Sequence, residues 1–560
     1  MSNKHNDSSI IEKETTTSST HSPRKHEKTF NLLLGIFAIF GVAILGYQVW
    51  IDINTESSIL VGPIVTKEEA ITRSEDFLRE NNFNIDGYTS SISVSSDDNA
   101  DSFLQRNLSK EEALTYVKDN KISTSFYDVR FFKDSEINEF LLSIDIKSGE
   151  IVYFSNTIPE NEERASLDKE AARTVVDTFF ADTKYQLTDF EERDYSTDKV
   201  QDRVDHTFSF KLANSAISSQ YGEAYPLIQV AVLGDKIGSF SYYLFVPEEF
   251  DREITQQLSV GSLLTLLSGL ASVFMLILAL VYLVKAFNNK KASWKVYAFL
   301  SGITFIILSL GAINDYPLLK SLYTTDMPFG VSMGILLIMT IIGVIFISAV
   351  IFISGVAGDY VTKSIWPNSF KASFERFPVS VLRGYVVAFA TLAVTQVIYL
   401  IGEQYFGVWS LPMTLESYSF LLSISPFLSV FSIVFLAAFS EEILYRLFGV
   451  SIFKKYFKST FLAIVVSALI WAIAHSNYPV FPVYFRGIEL LIGGIIWGYF
   501  FLRYDITTLI SAHYVYNAVL FSISMIVLGI PSLTFSAIIL FILPILLIPI
   551  HKFITSRIDR

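Results

Sequence analysis

The sequence predicts a polytopic α-helical membrane protein of about ten transmembrane helices, with an extracytoplasmic α+β domain between the first and second helices. Three observations support this fold class. The 560-residue chain is 51% hydrophobic with a mean hydropathy of +0.43, above the values of ordinary soluble proteins. Apolar runs long enough to cross a bilayer recur along the chain. One long stretch near the amino terminus lacks such runs and is strongly acidic.

The amino-terminal segment combines a polar tail with an apolar span. Residues 1–28 are too polar to bury a core, so we expect a disordered cytosolic tail. Residues 29–50 form an apolar run that follows Arg24, Lys25 and Lys28. The run is longer than the core of a signal peptide and shows no small-residue cleavage pattern, so it is interpreted as a transmembrane anchor.

Residues 51–256 are expected to form the extracytoplasmic α+β domain. Residues 51–255 contain 40 acidic and 20 basic side chains, so the rest of the chain is net basic. Helix-capping residues at Thr66, Ser109 and Asp168 predict three helix starts. The stretches 141–154 and 227–245 each read as strand, turn and strand. The repeat predicts a duplication, with halves at 51–160 and 161–256.

The carboxyl-terminal half consists mainly of apolar spans. We expect transmembrane helices 2–4 within 257–375, an intramembrane core within 376–550 and a cytosolic tail at 551–560. Lysine and arginine cluster in alternate loops, which places both termini in the cytosol. The chain has no cysteine, so it has no disulfide or thiolate metal site. The predicted spans are 258–286, 296–313, 331–357, 380–402, 420–446, 461–476, 487–502, 506–529 and 532–550.

Two carboxylates and a guanidinium interrupt one of these spans, at Glu441, Glu442 and Arg446. A charged residue at the centre of a membrane helix costs about 2.5–3.5 kcal/mol on insertion scales, so such groups suggest function. Glu442 and Arg446 are four residues apart and can pair on one helix face. Glu441 points about 100° away and is left free. The structural alternative is an interfacial ion pair.

Two later spans contribute His475 and His513, the only histidines of the chain within apolar runs. At 1.5 Å per residue, Glu441, His475 and His513 lie about 20, 24 and 15 Å from the cytosolic ends of their helices. Three helices therefore bring polar groups to similar depth. A histidine bonded only to a neighbouring helix is the structural alternative for each.

The order Glu-Glu-x-x-x-Arg, aromatic-x-x-x-His and His-x-x-x-Asn resembles that of the CPBP (CAAX protease, Abi and bacteriocin-processing) intramembrane endopeptidases. The resemblance covers roughly residues 375–550, and its last motif ends at Asn517. It implies an intramembrane protease whose site contains Glu441, Glu442, His475, His513 and Asn517, with Arg446 and Trp471 in structural or orienting positions. Two positions depart from the family pattern: Leu447 replaces the usual Gly, and Trp471 replaces the usual Phe.

Two mechanisms fit these residues. Glu441 and His475 can activate a water, while His513 and Asn517 donate to the oxyanion. Alternatively, Glu441, His475 and His513 can hold one divalent metal such as zinc. In that case Glu442 is either the base or a residue that orients a metal ligand without binding the metal itself. The sequence leaves both mechanisms open.

The expected function is cleavage of a membrane-associated or lipid-modified peptide or protein. A proton-coupled transporter and a catalytically silent receptor or immunity protein are the alternatives. The expected partners are this substrate and the lipid bilayer, with no nucleic acid and no indication of oligomeric state. Arg486 and Glu489 are interpreted as an interfacial ion pair. The glycines Gly493, Gly494 and Gly498 are expected to allow close helix packing.

Overall fold

The computed structural model describes residues 23–54, 64–181, 183–201, 203–367, 376–411 and 418–558. Most of the predicted tail at 1–28 lies outside the described residues. The helices are α1 (Pro23–Asn54), α2 (Lys67–Glu80), α3 (Asp98–Asn107), α4 (Lys110–Asp119), α5 (Lys169–Ala181), α6 (Glu248–Asn288), α7 (Trp294–Asn314), α8 (Tyr316–Ser321), α9 (Phe329–Ile365), α10 (Phe377–Phe406), α11 (Pro426–Glu441), α12 (Ser451–Phe457), α13 (Thr460–Ile473), α14 (Val483–Arg503), α15 (Ile506–Val527) and α16 (Pro531–Ile558).

Apolar helices confirm the predicted class of a polytopic membrane protein. Within the described ranges, nine helices are long and apolar enough to cross a membrane, including the anchor α1 and the last helix α16. The predicted span 461–476 is the exception, because its helix α13 has only 14 residues. At 1.5 Å per residue α13 is about 21 Å long, shorter than a bilayer core of about 30 Å. The anchor begins at Pro23, inside the predicted tail, and α16 extends through most of the predicted tail at 551–560.

The span that carries the Glu-Glu motif is continuous from Pro426 to Phe457, but its hydrogen-bond pattern changes in the middle. Helix α11 ends at Glu441, a π-helix covers Glu442–Val450, and α12 completes the span. In a π-helix each N–H bonds to the carbonyl five residues earlier, so the turn is wider than in an α-helix. The sequence predicted an ordinary helix here, and the wide turn is a feature that only the structure shows.

Between α1 and α6 lies an α+β domain built on one large antiparallel sheet. Its strand order is β1-β2-β3-β4-β9-β8-β6-β5, and β7 pairs with β8. The strands are β1 (Thr89–Ser96), β2 (Ser125–Phe132), β3 (Glu139–Asp145), β4 (Ile151–Thr157), β5 (Phe190–Val200), β6 (Arg203–Leu212), β7 (Ile217–Ser219), β8 (Gly222–Leu233) and β9 (Lys236–Phe245).

Local signals in this domain match the structure. Thr66 and Ser109 cap α2 and α4, and Ser109 forms a complete capping box with Glu112. The backbone N–H of Ala171 bonds to Asp168 at the start of α5 (2.9 Å). The two predicted hairpins are β3–β4 and β8–β9. These features need only neighbouring residues, which explains why they were predictable.

The halves predicted at 51–160 and 161–256 meet in the middle of the sheet. Strands β1 to β4 come from the first half, the others come from the second, and β4 pairs with β9 along Tyr153–Ser155. Two four-stranded units joined at their last strands produce this order, and the duplication stays a prediction. The predicted boundary at 256 falls inside α6, which runs without a break from the domain into the membrane.

The α+β domain contacts the loops between membrane helices. Lys67 Nζ donates to the carbonyls of Leu422 (3.3 Å) and Ser423 (3.1 Å), just before α11. Lys320 Nζ donates to the carbonyl of Ser90 (2.7 Å). The backbone N–H of Phe329 donates to Asp134 (2.7 Å) and lowers the pKa of that carboxyl below its usual value. The domain is therefore held at one end of the membrane helices by polar contacts.

Small residues allow close packing around the motif helices, as predicted for two of the three glycines. A Cβ at Gly494 would lie 2.9 Å from Ala468 Cβ, and one at Gly498 would lie 2.6 Å from Ile464 Cγ2. Gly493 faces open space instead. A short pair of strands, β10 (Trp409–Ser410) and β11 (Val480–Phe481), links the loops beyond α10 and α13.

Leu447, which replaces the glycine usual in CPBP sequences, fits because a glycine lies opposite it. A Cβ at Gly358 of α9 would lie 2.8 Å from Leu447 Cγ. Leu447 itself is fully buried. The space for the Leu447 side chain is therefore provided by α9, which lies outside the resemblance at roughly residues 375–550.

Candidate active site

The π-helix places the two adjacent glutamates in different surroundings. The Glu441 side chain is 23% exposed and reaches a cavity, whereas the Glu442 side chain is fully buried. Arg446 Nη1 lies 3.1 Å from Glu442 Oε1, so the predicted pair of Glu442 and Arg446 is confirmed. Among the described residues, Glu441 forms no ion pair with an arginine, so its carboxylate remains available to the cavity.

Hydroxyl groups from neighbouring helices support the wide turn. Ser467 of α13 donates to the carbonyl of Tyr445, and Thr362 of α9 donates to the carbonyl of Leu447 (3.3 Å). Buried backbone carbonyls must find such partners, because a helix with changed spacing does not satisfy all of them internally. π-Helical turns occur frequently at functional sites.

His513 is oriented by the buried ion pair. Its Nδ1 lies 2.8 Å from Glu442 Oε1, the same oxygen that Arg446 contacts. An ionised carboxylate only accepts hydrogen bonds, so Nδ1 carries the proton and Nε2 faces away from the pair. His513 Nε2 lies 4.0 Å from Glu441 Oε2. The two glutamates thus contact opposite sides of one imidazole.

His475 follows the end of α13 and is oriented by its own helix. Its Nδ1 donates to the carbonyl of Trp471 (3.0 Å). The Nε2 atom therefore carries a lone pair in the neutral ring. Both imidazoles of the site are held through Nδ1 and leave Nε2 unbonded among the described residues.

Two indole rings enclose the arginine. The guanidinium of Arg446 lies 4.2 Å from the centre of the Trp471 ring and 5.3 Å from that of Trp497. Aromatic faces stabilise a cation that is removed from water. Trp471 Nε1 donates to Glu441 Oε2, while Trp497 Nε1 donates to Thr391 Oγ1 (3.0 Å).

A cavity of about 560 Å³ connects these groups. Five of the seven predicted site residues line it, and Glu442 and Arg446 lie behind its wall. These five are Glu441, Trp471, His475, His513 and Asn517. The half-buried Asn517 carries the one primary amide in the lining. The structure therefore brings all predicted site residues to one cavity or its immediate support.

The cavity also contains polar residues that sequence reasoning did not assign to the site. Arg486 Nη1 bonds to Glu489 Oε2 (2.7 Å), and Thr395 Oγ1 donates to Glu489 Oε1 (3.2 Å). Tyr516 shares the Thr395 hydroxyl (3.2 Å). Arg486 and Glu489 form the predicted ion pair, in which Glu489 is only 1% exposed and lines the cavity. That the pair lies at the membrane interface stays a prediction. A Glu in an apolar span was the available signal.

The side chains do not form a ready metal site. Among the described residues, no group of three His, Cys, Asp or Glu is placed to hold a metal ion. Glu441 Oε2 bonds to Trp471. The proposed ligands Glu441, His475 and His513 are near one another but are not placed as a three-residue metal-binding group in the part of the chain that the structure describes.

Comparison with known proteins also identifies the segment that contains the three motifs. Residues 423–519 match the family described as type II CAAX prenyl endopeptidase Rce1-like. The sporulation-killing factor biosynthesis protein SkfC of Bacillus subtilis (strain 168) is 24% identical over 262 residues, which is 45% of this chain and 49% of that protein. The chain thus spans about half the length of this curated relative.

A solved structure matches a smaller part of the chain. The Bacillus megaterium YpeB C-terminal domain is 13% identical and covers 32% of this chain and 64% of its own, with a TM-score of 0.20. The family match, by contrast, includes every motif residue from Glu441 to Asn517. The chain is therefore a polytopic membrane protein whose residues 423–519 match the type II CAAX prenyl endopeptidase Rce1-like family, which supports the resemblance to CPBP endopeptidases.

Proposed function

We propose that this protein is a glutamate-dependent intramembrane endopeptidase that hydrolyses a peptide bond in a membrane-associated or lipid-modified peptide. The observation that supports this proposal is the shared cavity of Glu441, His475, His513 and Asn517. Each side chain faces one enclosed space within an apolar helix bundle, where a water and a peptide carbonyl can meet.

In the proposed reaction, Glu441 is the general base. Its carboxylate takes a proton from a water as the water oxygen attacks the peptide carbonyl carbon. His475 Nε2, with its lone pair, accepts a hydrogen bond from the same water and orients it. Expulsion of the amine requires a proton on its nitrogen, and the protonated Glu441 supplies it. The water proton is thereby returned to a product.

Attack by water leaves a negative charge on the peptide carbonyl oxygen, and hydrogen-bond donors must stabilise this oxyanion. The Asn517 amide is a donor in every protonation state. His513 donates from Nε2 only as imidazolium, because Nδ1 already holds its proton against Glu442. Glu442 holds the ring in place through Nδ1, as the buried acid orients the histidine of a catalytic triad. Glu442 and Arg446 therefore act through His513 and do not contact substrate.

The decisive experiment is cleavage of membrane peptides by the purified wild type and by Glu441→Gln, each with and without a chelator. Candidate substrates are a prenylated CAAX tail, a peptide pheromone and a bacteriocin-like peptide. We expect the wild type to cleave one of them and Glu441→Gln to lose about 10²–10⁴-fold in kcat, the usual contribution of a general base.

Each arm of this experiment has a separate meaning. Equal kcat in both proteins contradicts the role of Glu441. Loss of wild-type activity with chelator, restored by zinc, supports the metal-dependent alternative with Glu441, His475 and His513 as ligands. No cleavage of any candidate by the wild type favours transport or a silent receptor or immunity role.

We also propose that both termini are cytosolic and that residues 51–256 are extracytoplasmic. The basic residues in alternate loops support this orientation. Because the chain has no cysteine, single substitutions can report it cleanly. Asn161→Cys in the domain should react with an impermeant maleimide in intact cells, and Lys291→Cys should react only after lysis. The opposite pattern contradicts the orientation.

The α+β domain is proposed to control access to the cavity. Lys67 binds the carbonyls of Leu422 and Ser423, and Ser419, a few residues earlier, lines the cavity. Lys67→Met should change kcat/KM for a membrane peptide by about 2- to 10-fold, as expected from lost hydrogen bonds of about 0.5–1.5 kcal/mol. The exposed Lys236, changed to Met, is the control. Equal kcat/KM in both variants contradicts the proposal.

A further inference from the structure

Trp471 contacts more of the proposed machinery than any sequence motif indicated. Its indole Nε1 donates to Glu441 Oε2, and its carbonyl accepts from His475 Nδ1 at 3.0 Å. The guanidinium of Arg446 lies over its ring, 4.2 Å from the ring centre. Only 4% of Trp471 is exposed, so these contacts are fixed by packing. One residue thus touches the proposed base, the water-orienting histidine and the supporting arginine.

The contact with Glu441 is chemically specific. An indole N–H can donate a hydrogen bond and cannot accept one, so it matches the ionised form of a carboxylate. A phenylalanine, the usual residue at this position in CPBP sequences, has no such donor. Bonding of Oε2 to Trp471 leaves Oε1 as the oxygen without a hydrogen bond among the described residues.

We infer that Trp471 is a positioning residue whose indole N–H holds Glu441 Oε2, so that Oε1 is presented to the attacking water. This inference rests on the proposed function, in which Glu441 is the base. An unrestrained glutamate side chain rotates about its terminal bonds and samples orientations that miss the water. One directed hydrogen bond removes that freedom before the reaction begins.

Trp497 provides a matched comparison within the same cavity. It also lies against Arg446, at 5.3 Å, and it packs against His513 with ring centres 4.7 Å apart. Its indole N–H, however, donates to the hydroxyl of Thr391 (3.0 Å) and not to a carboxylate. The two tryptophans therefore share ring packing and differ in the group that receives the N–H.

The test replaces each indole by 3-benzothienylalanine, in which sulfur replaces the N–H and the ring keeps its size. At position 471 we expect kcat to fall about 10- to 100-fold, the loss that corresponds to one charge-assisted hydrogen bond. KM should stay the same, because the shape of the cavity wall is unchanged. At position 497 we expect less than about a 5-fold change in kcat, as for a neutral hydrogen bond.

Trp471→Phe serves as a second variant that keeps an aromatic ring and removes the donor. It should reproduce the fall in kcat, and thermal unfolding of both variants reports whether they fold. A wild-type kcat for the analogue at 471, or equal losses at 471 and 497, overturns the inference while Glu441→Gln remains inactive. If Glu441→Gln is active, the proposed base and this inference both fail.

Discussion

Two glutamate–arginine pairs, one in the cavity wall and one behind it, look alike in sequence and differ in their surroundings. Glu442 pairs with Arg446 at 3.1 Å, and Glu489 pairs with Arg486 at 2.7 Å. Each pair lies on a single span, and both glutamates are almost fully buried. Glu442, however, also binds His513, whereas Glu489 is bonded to the hydroxyl of Thr395.

Under the proposed mechanism, this difference distinguishes a pair that supports an active-site histidine from a pair that links helices. An ion pair by itself cancels charge in a place where isolated charge is costly. A histidine on the same carboxylate adds a group that can change protonation state, and Glu442 orients it towards Glu441. The pair of Glu489 and Arg486 instead ties α14 to α10 and α15 through hydroxyl groups. The group that each glutamate contacts in addition to its arginine therefore distinguishes the two pairs.

The largest difference between the pairs is expected in kcat. Glu442→Gln removes the charge that orients His513 and should lower kcat about 10²- to 10⁴-fold, the upper value being the loss when the buried acid of a catalytic triad becomes an amide. Glu489→Gln keeps an acceptor for Thr395 and should lower kcat less than about 10-fold. Steady-state cleavage of one membrane peptide by both variants measures the ratio, and a larger loss for Glu489→Gln would reverse the assignment.

A smaller difference is expected in stability. Arg446→Met leaves Glu442 buried without its cation and should cost about 3–5 kcal/mol, the typical result of breaking a buried pair. Arg486 is 18% exposed and Glu489 keeps its bond to Thr395, so Arg486→Met should cost less. Thermal unfolding in detergent compares the two. Adding Glu442→Gln to Arg446→Met should restore part of the loss, and no recovery would argue against charge burial as its cause.

The smallest effect is expected for the hydroxyl of Tyr516, which bonds to Thr395 at 3.2 Å. Tyr516→Phe keeps the ring and removes one neutral hydrogen bond, worth about 0.5–1.5 kcal/mol of unfolding free energy. Its kcat should remain within about 3-fold of the wild type if this side of the cavity is structural. A loss comparable to that of Glu442→Gln would move the Glu489 cluster into the catalytic machinery.

Much of the site was predictable because its signals are local or periodic. The pairing of Glu442 with Arg446 follows from a spacing of four residues. The positions of His475 and His513 on separate helices follow from apolar runs and a fixed rise per residue. The family resemblance added Asn517, which has no local signal of its own, and the structure places it in the cavity wall.

The sequence by itself determined the membrane class, the order of the helices and the capped starts of α2, α4 and α5, since these depend on hydropathy and on neighbouring residues. Tertiary structure decided what depends on distant partners. The π-turn needs Ser467 and Thr362, and Leu447 needs the space at Gly358. The indole of Trp471 meets Glu441 only when α13 packs on the π-helix that follows α11, a contact between side chains thirty positions apart that no periodicity encodes.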